Sequence, residues 1–330
     1  MGPRRVALFS AQFGDLSLAD LCALARRHGY GGVELGGAHL EVRRAAEEPG
    51  YAAGVRATLG ELRLEALSCH GPGQCVGDAV DARHQAIVPA HVWGEGEPEK
   101  VRRRAVEEVL WTGRAAKALG VSVVVGFTGS SIWPFLSLWP PVPAAMIDEG
   151  YKEFARRWTP ILGEYQALGV RFALEVHPTE IAYDFETTRR ALAAVSHHPA
   201  FCLNVDPSHF IPQMLSPDEY VREFGDRVVH VHIKDAALRL NGQRSVLGGH
   251  LPFGHPGRGW DFRSPGRGDV DFEALIRALN DVGYTGPLSV EWEDNGMERE
   301  WGIADAKRFV DTINFAKSSI SFEETMTGNK

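Results

Sequence analysis

Leu174-Glu175-Val176-His177-Pro178 places a carboxylate and an imidazole where an apolar run stops. Three later runs stop the same way: Asn204-Val205-Asp206-Pro207-Ser208-His209, His230-Val231-His232-Ile233-Lys234-Asp235 and Ser289-Val290-Glu291-Trp292-Glu293. Side chains alternate along a strand, so each run has two faces. One face is apolar throughout, as in Phe172, Leu174, Val176 or Val229, Val231, Ile233. The other is small or polar in most runs and turns ionisable at its C-terminal end: Ala173, Glu175, His177; Cys202, Asn204, Asp206; Val228, His230, His232, Lys234; Ser289, Glu291, Glu293. Four strands would each turn a titratable side chain inward at a similar height.

The rest of the chain repeats this unit. Apolar strands are expected at 6–10, 31–35, 63–70, 121–128, 170–177, 201–206, 227–234 and 287–292. Amphipathic helices are expected at 17–28, 51–62, 97–119, 147–168, 186–196, after Pro217, at 271–282 and at 300–316. Ser17 suits an N-cap, and Gly120 and Gly169 stand where helices stop. Near-continuous apolar strands alternating with helices argue for a parallel sheet covered on its outer side. Eight such units in 330 residues argue for a closed (β/α)8 barrel. The open doubly wound sheet is the alternative, but the turn after strand one is Ser10-Ala11-Gln12-Phe13-Gly14, without the glycine pattern of a dinucleotide site. Residues 1–317 read as one domain and 318–330 as a polar tail expected to fray. Three segments that follow strands, 71–96, 129–146 and 236–268, are longer than a minimal barrel needs, and would extend its C-terminal face. Their aromatic and proline content suits ordered lids or subunit contacts, with a second copy of the chain or a small subunit as partner.

Composition narrows the chemistry. Hydrophobic residues make up 44% and charged residues 24%, as in a soluble globular protein. The net charge of −8 opposes binding to a phosphate backbone, so no nucleic-acid partner is expected. No run approaches a membrane span, and the N-terminus lacks the apolar segment of an export signal. Cys22, Cys69, Cys75 and Cys202 show no paired spacing, which reads as reduced thiols in a cytoplasmic protein.

Three carboxylates and a histidine converging in a barrel mouth repel one another strongly, because burying unpaired ions is costly. A salt-bridge cluster is the competing solution; one divalent metal held by Glu175, Asp206, His232 and Glu291 resolves all four at once. An oxygen-rich set with one imidazole and no thiolate suits Mn²⁺ first, with Mg²⁺, Co²⁺, Fe²⁺ or Zn²⁺ as alternatives.

Together with Pro265-Gly266-Arg267-Gly268-Asp269-Val270-Asp271, these motifs resemble those of the sugar phosphate isomerase/epimerase family. That family shares the xylose isomerase-like TIM barrel with ketose 3-epimerases, inosose dehydratases and endonuclease IV, and the resemblance runs along essentially the whole chain. It implies a TIM barrel, a single metal on Glu175, Asp206, His232 and Glu291, the two glutamates as acid and base, and substrate contact at the position of His209. The implied activity is a metal-dependent sugar isomerase or epimerase that abstracts a proton beside a carbonyl through a stabilised enediolate. The alternative is a lyase or deglycosidase acting on a keto-sugar or 3-keto-glycoside by elimination. An apurinic endonuclease is a third reading, opposed by the charge. Substrate-binding candidates are His70, His177, His209, Lys234, Arg263 and Arg267, with Glu34 a further candidate; His230, one layer below His232, reads as core.

Overall fold

All eight expected barrel strands form in the computed structural model, which describes residues 3–137 and 139–327. The strands are β1 (Val6–Phe9), β2 (Gly32–Leu35), β3 (Arg63–Ser68), β4 (Val123–Gly126), β5 (Arg171–Glu175), β6 (Phe201–Val205), β7 (Val228–Ile233), β8 (Asp235–Leu238), β9 (Trp260–Arg263) and β10 (Leu288–Val290). Eight of them close a parallel barrel in the order β1-β10-β7-β6-β5-β4-β3-β2, and β8 and β9 pair antiparallel as a separate hairpin. Helices wrap the barrel outside. Two of the longest, Pro98–Leu119 and Ala144–Leu168, end at Gly120 and Gly169, whose left-handed backbone (φ 78° and 70°) turns the chain back into β4 and β5. Ser17 caps the first helix by accepting from the Asp20 amide. Among the described residues no helix is long and apolar enough to cross a membrane. All four cysteines are buried and free.

The two faces are separated as the alternation requires except at the start of β7, where a register shift between Val228 and His230 turns Val229 into the barrel and Val228 out towards the helices. The outward apolar face packs on helices: Phe172 lies 4.5 Å from the Trp158 ring and 6.0 Å from Tyr165. Trp158 is fully buried, and its indole N–H donates to Thr128 O. The lower interior is filled by the small cluster Ala66, Val123, Val125, Ala173, Cys202 and Val229. Above it the interior turns polar, with Glu34, Ser68, Asn204, His230 and Ser289 all buried. The ionisable strand ends lie on top of that layer.

Four strands stop two residues earlier than their apolar runs suggest, β4 at Gly126 and β10 at Val290 among them. β3 ends at Ser68, and His70 opens the helix His70–Gly77; β5 ends at Glu175, before His177. The first turn of His70–Gly77 presses on backbone. A Cβ on Gly71 would lie 1.8 Å from Ile87 O, and one on Gly73 would lie 2.0 Å from Phe127 O. Only glycine permits that approach. Segment 71–96 is therefore mostly short helices, including Ala90–Trp93, and segment 236–268 carries the β8–β9 hairpin. Within the expected tail, Phe322–Thr327 is a short helix, while 328–330 lie outside the described residues.

The Pro265–Asp271 motif is tied down by one carboxylate. Asp235, first residue of β8, accepts from the backbone N–H of Ala236 (2.9 Å), Gly266 (3.0 Å), Gly268 (2.8 Å) and Val270 (3.2 Å). A Cβ on Gly268 would come within 2.2 Å of Asp235 Oδ1, so the turn must be glycine to close on it. Asp235→Ala leaves several of those donors without a partner. Leaving buried donors unmade costs about 1–3 kcal/mol each, partly recovered by water. A loss of roughly 2–4 kcal/mol in urea unfolding is expected, with protease cleavage appearing between 264 and 271.

Candidate metal centre

One ligand atom from each of Glu175, Asp206, His232 and Glu291 lies within 4.8 Å of the others, and all four residues are buried. The pairing of the tilted strands explains their common height. Glu175 is level with Asn204, and Asn204 with His230, so Asp206 stands one inward position above Glu175's partner. His232 is level with Ser289, and Glu291 stands one inward position higher again. The ligands climb along successive strands as the stagger of a closed barrel demands.

Three of the atoms point into this space without an aligned hydrogen bond: Asp206 Oδ2, His232 Nδ1 and Glu291 Oε2. Their separations are nonetheless short, 2.8 Å from His232 Nδ1 to Glu291 Oε2 and 3.4 Å to Glu175 Oε2. Lone pairs that face a common point, rather than one another's protons, fit a cation. Hard oxygens with one imidazole suit an oxygen-loving divalent ion.

His232 is aimed from behind. Its Nε2 donates to Glu34, at 3.1 and 3.2 Å from the two oxygens, which leaves Nδ1 facing Glu175, Asp206 and Glu291 as a lone pair that could hold a metal. Glu34 also accepts from Ser68 Oγ (2.5 Å), His230 Nε2 (2.8 Å) and Ser289 Oγ (2.7 Å). Burial would raise the Glu34 carboxyl, but the His232 and His230 imidazoles outweigh it and hold it well below the usual range. Glu34 is fully buried beneath the ring, behind His232. Such a carboxylate fixes the imidazole tautomer and its basicity. Phe9 closes the other side of His232, stacked at 5.1 Å.

The remaining sequence candidates divide into two groups. His70 Nε2 lies 2.8 Å from Glu175 Oε2, and its ring is partly exposed against Phe127. His209 Nε2 bridges Glu175 Oε1 (3.0 Å) and Asp206 Oδ2 (3.2 Å). Burial would lower the His209 imidazole, yet Asp206 and Glu175 push it up to about 9. His177 packs edge-on against His209 at 4.1 Å. Lys234 Nζ sits 3.2 Å from Asp206 and 3.1 Å from Glu291, over the Phe262 ring. These four gather at the ligands. The two arginines do not. Arg263 donates to Phe262 O and faces Asp294 at 3.6 Å, and Arg267 donates to Asp305 while covering Trp301. Each is drawn off by a carboxylate that only the folded chain brings near.

Glu180 escaped the sequence reading. It is buried just past the end of β5, where Thr179 adopts a left-handed backbone (φ 101°). Its Oε2 accepts from the N–H groups of Thr128 and Gly129, both at 2.7 Å, and Oε1 accepts from Thr179 Oγ. Thr179 Oγ in turn reaches His177 Nδ1 at 3.3 Å. Glu180 thus joins the loops after β4 and β5, and no motif spacing announces it. Burial, with Asp78 nearby, pushes its carboxyl up to about 8.

A family model described as the xylose isomerase-like TIM barrel matches residues 22–316. The chain belongs to that family. Among characterised and uncharacterised relatives of the barrel, YfiH of Bacillus subtilis, of uncharacterised function, is 31% identical over 173 residues, 50% of this chain and 54% of that protein. An inosose dehydratase of Clostridium perfringens is 34% identical over 90 residues, 27% of this chain and 30% of the dehydratase. The matched stretches thus span about half or less of these relatives. The structure of the Escherichia coli 3-keto-D-glucoside 4-epimerase YcjR shares the fold, with a TM-score of 0.64 and 14% identity over 94% of this chain and 99% of that one. Epimerases share the fold, and inosose dehydratases are among the sequence relatives.

Two outcomes test the centre. Glu34→Gln should weaken metal binding about 10- to 100-fold in equilibrium dialysis while the chain stays folded, since loss of such a supporting partner has that typical effect. Glu180 has its proton affinity raised by folding, so its contribution to stability is present below about pH 4.5 and lost as pH rises through about 8. Urea unfolding at pH 5 and pH 8 should show that decline in the wild type, and Glu180→Gln should flatten it.

Proposed function

We propose that the chain is a divalent-metal-dependent sugar isomerase or epimerase that removes a proton beside a carbonyl and returns one to the same or the neighbouring atom. The observation that carries this reading is the convergence of Glu175 and Glu291 on one point from β5 and β10, three positions apart around the eight-stranded ring. A carboxylate approaching a substrate carbon from each side can take a proton on one face and deliver one on the other. Glu175 is held ready to accept. Burial works against its ionisation, but hydrogen bonds from His209, His232 and His70 keep the carboxyl well below the usual range. Lys234 holds one oxygen of Glu291 and leaves the second facing the ligand cluster. His70 and His177 stand at the rim, where a sugar hydroxyl would meet an imidazole. A divalent ion, Mn²⁺ by this donor set, would supply the positive charge that polarises the carbonyl and acidifies the neighbouring C–H. The substrate is a small carbohydrate, and the setting is the cytoplasm.

A dehydratase or other lyase is the second reading, favoured by the 34% identity to an inosose dehydratase. Lys234 and His209 are cationic groups beside the ligands that could hand a proton to a departing hydroxyl. After the same first proton removal, the outcome depends on whether the substrate carries a leaving group at the next carbon.

Mn²⁺-loaded protein incubated in D₂O with ketoses and keto-cyclitols separates the two. Incorporation of one deuterium without loss of atoms supports the isomerase or epimerase; loss of water supports the lyase. Glu175→Gln and Glu291→Gln should each lower exchange at least about a hundredfold, the scale of general acid–base catalysis, with unchanged circular dichroism. Wild-type exchange rates in either variant would remove the two-glutamate mechanism.

A further inference from the structure

A cavity of about 820 Å³ opens at the other end of the barrel, where the strands begin. It is lined by the lead-in to β1, the first residues of β3 and β5, and the turns before β4 and β10. Among the described residues its charged side chains are Arg4, Arg5, Arg63, Arg171 and Glu65, four guanidiniums to one carboxylate. The chain as a whole carries −8, so this concentration of positive charge runs against its composition.

Strand alternation puts the guanidiniums there. Arg5 shares a side with Ala7 and Phe9, whose ring stacks on His232 in the interior. Arg171 shares one with Ala173, part of the small interior cluster. On β3 the register against β2 skips Glu65, which brings Arg63 to the same side as the interior Ala66. Each arginine is thus the lowest inward position of its strand, and β1, β3 and β5 are alternate strands of the ring, which share a layer in such barrels. Two glycines seat the cluster. A Cβ on Gly31 would lie 3.0 Å from Arg5 Cγ, and one on Gly32 would lie 2.9 Å from Glu65 Cγ, so both side chains rest on bare backbone.

The positive charge is only partly answered. Arg4 donates to Tyr284 O (3.0 Å) and Asn280 Oδ1 (2.8 Å), neutral acceptors that fix it without cancelling its charge. Glu65 meets Arg5 at 3.1 Å and Arg63 only at 4.0 Å. Among the described residues the Arg171 side chain has no hydrogen bond or ion pair, and both it and Arg63 are exposed. The Ser122 and Thr285 hydroxyls on the same wall have no hydrogen-bond partner among the described residues either.

We propose that this mouth binds a small phosphorylated anion, at a second site on the face opposite the metal centre. Guanidinium forks and hydroxyls are the donors that recognise phosphoryl oxygens, and one arginine can take two oxygens at once. Arg63 and Arg171 stand two strands apart, roughly 10 Å at the backbone, a gap that two long side chains close on a diphosphate while Arg5 stays on Glu65. The cavity is concave, with Val123 and Val229 in its lining, and the rest of the chain is acidic, which favours a compact anion over an extended polyanion such as a nucleic acid. None of the four metal-centre carboxylates and imidazoles lines it, so the site stands apart from the proton-transfer chemistry.

Isothermal titration of inorganic pyrophosphate into the metal-free chain tests this, with no ion at the opposite mouth to hold the probe. One pyrophosphate should bind per chain. Arg63→Ala and Arg171→Ala should each weaken binding at least about tenfold, the scale of a lost charge-assisted hydrogen bond, with unchanged circular dichroism. Glu65→Gln removes the competing carboxylate and should tighten binding, a gain that misfolding cannot imitate. A single-stranded oligodeoxynucleotide titrated in parallel should bind more weakly than pyrophosphate. No saturable pyrophosphate binding, arginine variants that bind like the wild type, no tightening in Glu65→Gln, or tighter binding of the oligonucleotide would each overturn the proposal.

Discussion

Three carboxylates brought within 4.8 Å in a barrel mouth are the constraint on which the structure turns. Water cannot screen them there, and the protein interior makes their repulsion larger than it would be outside. The fold answers by setting a lysine and two imidazoles against the carboxylates. Lys234 reaches Asp206 and Glu291, His209 spans Glu175 and Asp206, and His70 meets Glu175 from the rim. A divalent ion completes that answer, and the unaligned lone pairs of Asp206, His232 and Glu291 face the point where it would sit. The same crowding that makes the site costly to fold makes it a strong cation trap.

Beneath the ligands the barrel interior is layered by what each height must do. Small side chains such as Ala66, Ala173 and Cys202 fill the lower layer, where the tilted strands leave little room. The middle layer is polar because one ligand needs orienting. Glu34, with every hydrogen-bonding partner supplied by Ser68, His230, His232 and Ser289, decides which nitrogen of His232 is free. A barrel that carried only branched apolar side chains at that level would leave the imidazole free to choose its tautomer. The fully satisfied carboxylate is a polar group that the interior can hold without penalty from unmade hydrogen bonds.

The insertions extend this arrangement outward. Asp235 gathers four backbone amides and so anchors the Pro265–Asp271 turn at the root of the β8–β9 hairpin, whose Phe262 ring carries Lys234 on its face. Glu180 performs a similar service between the loops after β4 and β5 and, through Thr179, reaches His177. Against the same loop after β4, close backbone approach at Gly73, with that of Gly71 on Ile87, sets the insertion that walls an apolar cavity. The reacting centre is built by strand ends, and what surrounds it is decided by buried carboxylates and glycines in the loops.

The sequence by itself determined the barrel, the eight strand–helix units and the convergence of Glu175, Asp206, His232 and Glu291. Those depend on periodicity along single strands, which is local: Glu175 faces inward because Ala173 does, and Phe172 and Leu174 face the helices. It also located His70, His177, His209 and Lys234, each of which lies at or within a few residues of a strand end. Only the tertiary structure decided partners distant in the chain. Glu34 looked like a rim residue from its place at the end of β2, and closure of the ring, which sets β2 across the interior from β7, put it under His232, nearly two hundred residues later. Arg267 looked available beside its glycines until the last long helix, Arg299–Ile313, brought Asp305 within 2.7 Å. Glu180 had no pattern to reveal it, because its partners are backbone amides of another loop. Strand alternation is written in consecutive residues, whereas the neighbours of a buried charge are set by closure of the barrel.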